Sequence, residues 1–472
     1  MLFNSLIFLL FAGTFFAIWP RVRANPRARW AWLFGASMLF YGFWDWRFLG
    51  LILFSGLIDY FAALGMASRP RWKKALLWLS ITANIGTLAL FKYAGFFLSA
   101  INDVAGAFGG DAVVPVIRLA LPVGISFYTF QSMSYTIDVY RGQLKPVRSV
   151  LHFFAYLSMF PQLVAGPIIR ASDLLHQLEG YKKTSAEDRI EGLRLITFGF
   201  FKKMVIADNM APAIQDAFAR AHVIDSTPYW WIIITMFAVQ VYCDFAGYSD
   251  IARGLARWMG YHFKVNFDHP FAAKSLREFW ARWHISLTTW FRDYVYMPLG
   301  GPMKGLRGHV NTWVTMALSG FWHGANWTFL LWGFSQGVLL SVEKLLGTPK
   351  RLIKLPSGRW ICTALVIAQI WSAFALFGSR DLTQAFAIMN SMYIPTEWNW
   401  LPVQRLLEYQ KQGLLVLALF IARELWYYLG LDEKRVGDLL RTPATQTVGL
   451  ACAMVLCVYF RGPGMAFIYF QF

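Results

Sequence analysis

Runs of about twenty apolar residues recur along this chain. The short segments between them alternate between strongly basic and nearly uncharged. A helix needs about 20 apolar residues to cross the hydrocarbon of a bilayer, and Lys and Arg collect in cytoplasmic loops. The run "LIFLLFAGTFFAIWP" is followed by "RVRANPRAR", which predicts a cytoplasmic loop. Residues 30–46 then cross outward, and residues 48–67 return to the basic "RPRWKK". Residues 75–98 lead outward to "INDVAGAFGGDAVVP", which has no Lys or Arg and carries two Asp. Residues 119–140 return to "RGQLKPVR". All these crossings agree with one orientation, with the N-terminus on the periplasmic side. The first run has no basic residues ahead of it, as a cleaved signal peptide would, so it is predicted to be an uncleaved span.

Past residue 149 the order loosens. "SMFPQLVAGPIIR" places two prolines and a glycine in an apolar run. Irregular backbone at membrane depth needs protein or water around it, so this stretch reads as a re-entrant or broken segment. Residues 171–195 form the longest polar region and are expected in the cytoplasm. So are "EKLLGTPKRLIKLPSGR" and "DEKRVGDLLR". Residues 360–378, 413–430 and 445–460 read as further spans.

Composition agrees. Hydrophobic residues make up 57% of the chain and charged residues 15%, against roughly 45–50% and 25% in soluble domains. The expected class is an all-α polytopic membrane protein with roughly 10–12 transmembrane helices plus re-entrant or interfacial helices. No stretch is polar and long enough for a soluble domain, so residues 1–472 are read as a single membrane domain. The net charge of +18 follows from the cytoplasmic loops and does not call for nucleic acid. Cys243, Cys362, Cys452 and Cys457 form no C-x-x-C pair and read as inert packing residues.

Ionisable groups inside such a chain are functional candidates. "QVYCDFAGYSDIARGLARWMGYHF" carries Asp244 and Asp250, read as structural or tunnel-lining, with Arg253 placed to pair with Asp250. "SLREFWARWHISLTTWFRDYVYMPLGG" carries Arg277, Arg282, His284, Arg292 and Asp293. As one helix it would put Arg277, Trp280 and His284 on one stripe, either lying flat in the headgroups or lining a polar funnel. "LSGFWHGANWTFLLWG" sets His323 among tryptophans and phenylalanines, flanked by Gly320 and Gly324. Asn326 follows three residues on, as a donor expected on the same side. A neutral buried imidazole beside a hydroxyl is a general base, and a nearby amide can stabilise an oxyanion. His262 and His269 lack zinc spacing, and no metal is expected. A nucleophile elbow, a phosphate loop and a dinucleotide fingerprint are all missing from the sequence.

The histidine-bearing stretches "WARWHISLTTWFRDYVYMPLGG" and "SGFWHGANWTFLLWG" resemble the two signatures of the membrane-bound O-acyltransferase family. "LPVGISFYTFQSMSYTIDVYRG", "FPQLVAGPIIR", "YCDFAGYSDIARG" and the C-terminal "FIYFQF" resemble its alginate- and cellulose-acetylating branch. Residues 350–440 match nothing recognisable. The resemblance implies a helical fold that thins the membrane around a central tunnel. It implies His323 as catalytic base, with His284 as the second motif histidine. It also implies a thioester donor from the cytoplasm, acetyl-CoA being the expected one, with no resident cofactor. The acceptor would come from the outer face: an exported polysaccharide, reached directly or through periplasmic acetyltransferase partners at the bacterial inner membrane. Asn326 or the Trp322 indole would face the developing oxyanion. Arg277, Arg282 and Arg292, with Asp293 beside them, would line the substrate funnel, since guanidinium binds phosphate bidentately. Their other expected role is anchoring in lipid headgroups. An exporter without chemistry also fits intramembrane charges and a broken Gly-Pro segment, but has no need of two aromatic-flanked histidines. Within the enzyme class, peptidoglycan, a lipid or a protein hydroxyl remain as acceptors.

Overall fold

A computed structural model describes residues 1–109, 114–116, 119–394, 399–431 and 443–468. The predicted cytoplasmic loop at 432–441, part of the predicted outward loop at 110–113, and the last four residues of "FIYFQF" lie outside the described residues. Every regular element among the described residues is helical.

The chain divides into two compact units. The first comprises residues 1–192 and 251–264, the second residues 193–250 and 265–472. Helices α1 (Leu6–Val22), α2 (Pro26–Asp45), α3 (Leu49–Ser68), α4 (Lys73–Leu88), α5 (Ala94–Ala107) and α6 (Ile125–Tyr140) open the first unit. The prolines and glycine of 158–170 do break the backbone. Helix α7 (Val150–Leu157) gives way to the single turn α8 (Phe160–Leu163), and buried irregular chain runs on to Ile169. Helix α9 (Ala171–Glu179) follows, and α10 (Ala186–Phe200) passes into the second unit. Inside the first unit a buried carboxylate ties three helices together. Asp59 of α3 accepts hydrogen bonds from Ser80 and Asn84 of α4 and from Ser132 of α6, because an unpaired charge in an apolar bundle is costly.

The second unit begins with a π-helical stretch, Phe201–Ala207, and α11 (Asp208–Ala219). The 33-residue α12 (Thr227–Met259) belongs to this unit up to Asp250, and its last nine residues belong to the first unit. Two seven-residue helices follow, α13 (Leu276–Arg282) and α14 (Ile285–Phe291). The hairpin of α15 (Leu306–His323) and α16 (Trp327–Leu346) comes next. Then come α17 (Thr348–Leu352), α18 (Gly358–Gly378), α19 (Leu382–Tyr393), α20 (Leu401–Tyr409), α21 (Lys411–Tyr428) and α22 (Pro443–Tyr459).

Five helical stretches among the described residues are long and apolar enough to cross a membrane: Pro26–Ser68, Pro70–Ala107, Thr227–Met259, Trp327–Leu346 and Gly358–Gly378. Leu6–Val22 and Ala444–Tyr459 are shorter apolar helices. The first stretch holds α2 and α3, each of 20 residues, and such a helix spans about 30 Å. Large apolar side chains such as Leu6, Trp46, Leu345 and Val455 lie uncovered on these helices, as lipid-facing surface requires. The chain is a multi-pass membrane protein.

Candidate active site

The charged residues of α12 belong to an internal framework. Asp244 is 2% exposed, and its carboxylate meets Lys203 Nζ at 2.7 Å. The same ammonium reaches Asp208 at 2.9 Å. The C-terminal segment docks here as well, with the Ile468 backbone N–H donating to Asp244 Oδ2 at 2.6 Å. Asp250 takes Lys202 Nζ at 2.7 Å, a partner 48 residues away in sequence that helical spacing did not suggest.

The predicted stripe Arg277–Trp280–His284 does not form. Helix α13 ends at Arg282, and His284 takes a left-handed conformation at φ 42°. That break separates α13 from α14, so His284 leaves the face it would share in one helix. Two backbone hydrogen bonds hold the break. Ile285 N–H donates to Asn266 O at 2.8 Å, and Asp268 N–H donates to Arg282 O at 2.9 Å. A non-glycine residue at positive φ persists where its surroundings over-determine it. Ser275 caps the start of α13, and the Glu343 carboxylate of α16 accepts the Leu276 N–H at 2.7 Å.

The imidazole of His284 is 1% exposed. Phe245 of α12 meets it edge-on at 4.6 Å between centroids, and Phe267 lies over it at 6.1 Å. Its Nδ1 lies 3.2 Å from Asn266 Oδ1. Burial pushes its pKa down to about 3, which favours the neutral ring.

His323 is the last residue of α15 and is 4% exposed. Gly324 is extended and turns the chain into α16. Trp322, Trp332 and Phe377 surround the ring at 5.0, 5.4 and 5.4 Å between centroids. Gly320, one turn earlier, packs on Gly333 of α16, and a Cβ there would overlap the Phe329 carbonyl oxygen. The close approach of the two backbones thus sets where His323 stands.

Trp322 joins the two histidines. Its ring lies 6.1 Å from His284 and 5.0 Å from His323. The residues with a histidine in each motif, 39 apart in sequence, therefore share one buried aromatic partition. Asn326 is not on the His323 helix face. It caps α16 by accepting the Thr328 N–H at 3.1 Å and donates to Arg380 O at 2.8 Å. Arg282 pairs with Glu278 at 2.8 Å and Arg292 with Asp293 at 2.7 Å, while Arg277 is exposed. Sequence reasoning missed Asn266, Phe245, Phe267, Phe377 and Lys203. Asn266 sits in "KVNFDHP", a stretch weighed only for its histidines and zinc.

The model of the MBOAT, membrane-bound O-acyltransferase family, matches residues 143–380. That range contains both histidines and Trp322. The chain is 36% identical to the probable alginate O-acetylase AlgI of Pseudomonas putida, covering 92% of this chain and 88% of that protein. It is 37% identical to the protein of the same name from Azotobacter vinelandii, over 84% and 79%. It is 31% identical to the peptidoglycan O-acetyltransferase of Helicobacter pylori, over 83% and 80%. With the family model over half its length and relatives above 30% identity over most of it, this chain belongs to the membrane-bound O-acyltransferase family and is an O-acyltransferase.

Proposed function

We propose that this protein takes an acetyl group from a cytoplasmic thioester, acetyl-CoA, and delivers it across the bacterial inner membrane for O-acetylation of an exported polysaccharide of alginate type. One observation carries the reading: two buried histidines, from separate motifs, both pack against one tryptophan. His323 is the general base. It accepts the proton of the attacking hydroxyl as the new C–O bond forms at the thioester carbonyl. The C–S bond then breaks, and the leaving thiolate takes up a proton. General-base catalysis contributes about 10²–10⁴-fold. His284 orients the acceptor. The Trp322 indole, packed against both, is the candidate donor to the carbonyl oxygen. Asn326 is held as a helix cap and supports the loop after His323 more directly than it supports an oxyanion.

For the donor's phosphates, Arg277 is exposed and has no side-chain ion pair among the described residues. Arg282 and Arg292 would have to exchange a carboxylate partner for a phosphate. Transfer to the polymer through a periplasmic acetyltransferase partner belongs to the same reading, as does a periplasmic N-terminus. The Helicobacter relative favours a second acceptor class, peptidoglycan hydroxyls.

The test is the acetyl content of exported polymer in a deletion strain complemented with His323→Ala, with membrane levels checked by immunoblot. We expect acetylation to vanish at normal protein level. Normal acetylation would contradict the mechanism. Polymer export that needs the protein but not His323 would favour an exporter.

A further inference from the structure

The hydrogen bonds around Asn266 fix more than a position. Its Oδ1 accepts the Ser286 backbone N–H at 3.1 Å. A backbone N–H can only donate, so this atom is the carbonyl oxygen and not the amide nitrogen. The Ser286 hydroxyl donates to the same oxygen at 2.9 Å. The other end of the amide, Nδ2, donates to Ser249 Oγ of α12 at 3.1 Å. Asn266 is 1% exposed, so its orientation is set by these partners. His284 Nδ1 lies 3.2 Å from that oxygen. An acceptor oxygen facing a ring nitrogen favours the tautomer in which that nitrogen carries the proton, and the Ser286 hydroxyl, 3.5 Å from Nδ1, is turned to donate to the same oxygen.

We propose that Asn266 is a positioning residue for the transfer reaction: it holds the single proton of neutral His284 on Nδ1, so that Nε2 meets the substrate as a hydrogen-bond acceptor. The proposal rests on the reading of His284 as part of the reaction centre and narrows its role. In this tautomer Nε2 orients an acceptor hydroxyl by taking a hydrogen bond from it, and has no proton to offer an oxyanion. Oxyanion stabilisation then falls to another donor. The backbone supports the same geometry, because Asn266 O accepts the Ile285 N–H next to the strained His284. Charged groups on the surrounding elements are committed elsewhere: Asp244 to Lys203, Asp250 to Lys202, and Arg282 to Glu278. His323 packs against the same Trp322 ring that meets His284.

The test uses the full chain in detergent, labelled with ¹⁵N-histidine, and the His284→Ala variant to identify the His284 signals. The expected spectrum has a protonated Nδ1 and an unprotonated Nε2 for His284 in the wild type. A protonated Nε2 overturns the proposal. Thiol release from acetyl-CoA, with membranes carrying each variant, gives the second arm. Asn266→Leu should lower kcat by about 10–100-fold with the KM for acetyl-CoA unchanged. Asn266→Asp keeps an acceptor oxygen and should restore much of the rate at high pH. Its carboxylate raises the His284 pKa, and the active form is neutral, so the acid limb of the pH profile should move upward. A purely structural role would lower folded protein in both variants without moving that limb. Wild-type kcat in Asn266→Leu, with His284→Ala inactive, overturns the proposal alone. Wild-type kcat in His284→Ala overturns the reading beneath it, while the spectrum still reports the tautomer.

Discussion

His284 and His323 both pack against the Trp322 ring, at 6.1 and 5.0 Å between centroids, yet the described contacts that place them differ in kind. His284 sits in a strained break between two short helices, gripped by hydrogen bonds to Asn266 and by the backbone of 266–268. His323 ends an 18-residue helix and is enclosed by rings, its place set by a glycine contact between α15 and α16. Polar contacts specify which nitrogen carries a proton. Shape specifies where a ring stands. A site that must both orient a hydroxyl and remove its proton has use for each.

The contrast makes the two sides separately breakable. The largest effect should come from Lys203→Ala, which leaves Asp208 and Asp244 buried together without their cation. Breaking a buried pair by removing one partner costs about 3–5 kcal/mol. Because α12 also carries Phe245 and Ser249, this variant should loosen the His284 side, and the unfolding midpoint in detergent should fall sharply. An unchanged midpoint would mean the triad does not hold that side. Gly320→Val attacks the other side. Its Cβ would overlap backbone atoms that have no room to shift, and overpacking costs about 1–3 kcal/mol. The midpoint should drop and transfer should fail with it, although the side chain touches no substrate. Arg282→Gln should do least to stability. Its pair with Glu278 is partly exposed, and such pairs contribute about 0.2–1 kcal/mol. A midpoint as low as that of Gly320→Val would show that Arg282 belongs to the framework.

The helical, multi-pass class was readable from periodicity, because lipid imposes long apolar runs. The broken segment at 158–170 was legible from its prolines and glycine. The histidine motifs were legible from their aromatic setting. What escaped was set by distant partners. Nothing near Arg282 announces that the helix stops there, because the break is held by Asn266 and Asp268, far upstream. Helical spacing offered only Arg253 as a partner for Asp250 and gave no sign that Lys202 reaches it from another element. Asn326 looked like a donor beside His323 until Gly324 ended the helix and made it a cap. Phe377 comes from a stretch with no recognisable motif, and only packing brings it to His323.

The central claim is that His323 removes the acceptor's proton while the aromatic cage keeps the site in shape without it. The most direct measurement is the turnover of acetyl-CoA by His323→Ala in membranes containing the folded variant at wild-type level, with a hydroxyl acceptor present. The account predicts a fall in kcat of about 10²–10⁴-fold with an unfolding midpoint close to wild type. Turnover within about 2-fold of wild type, well below that general-base range, would contradict it.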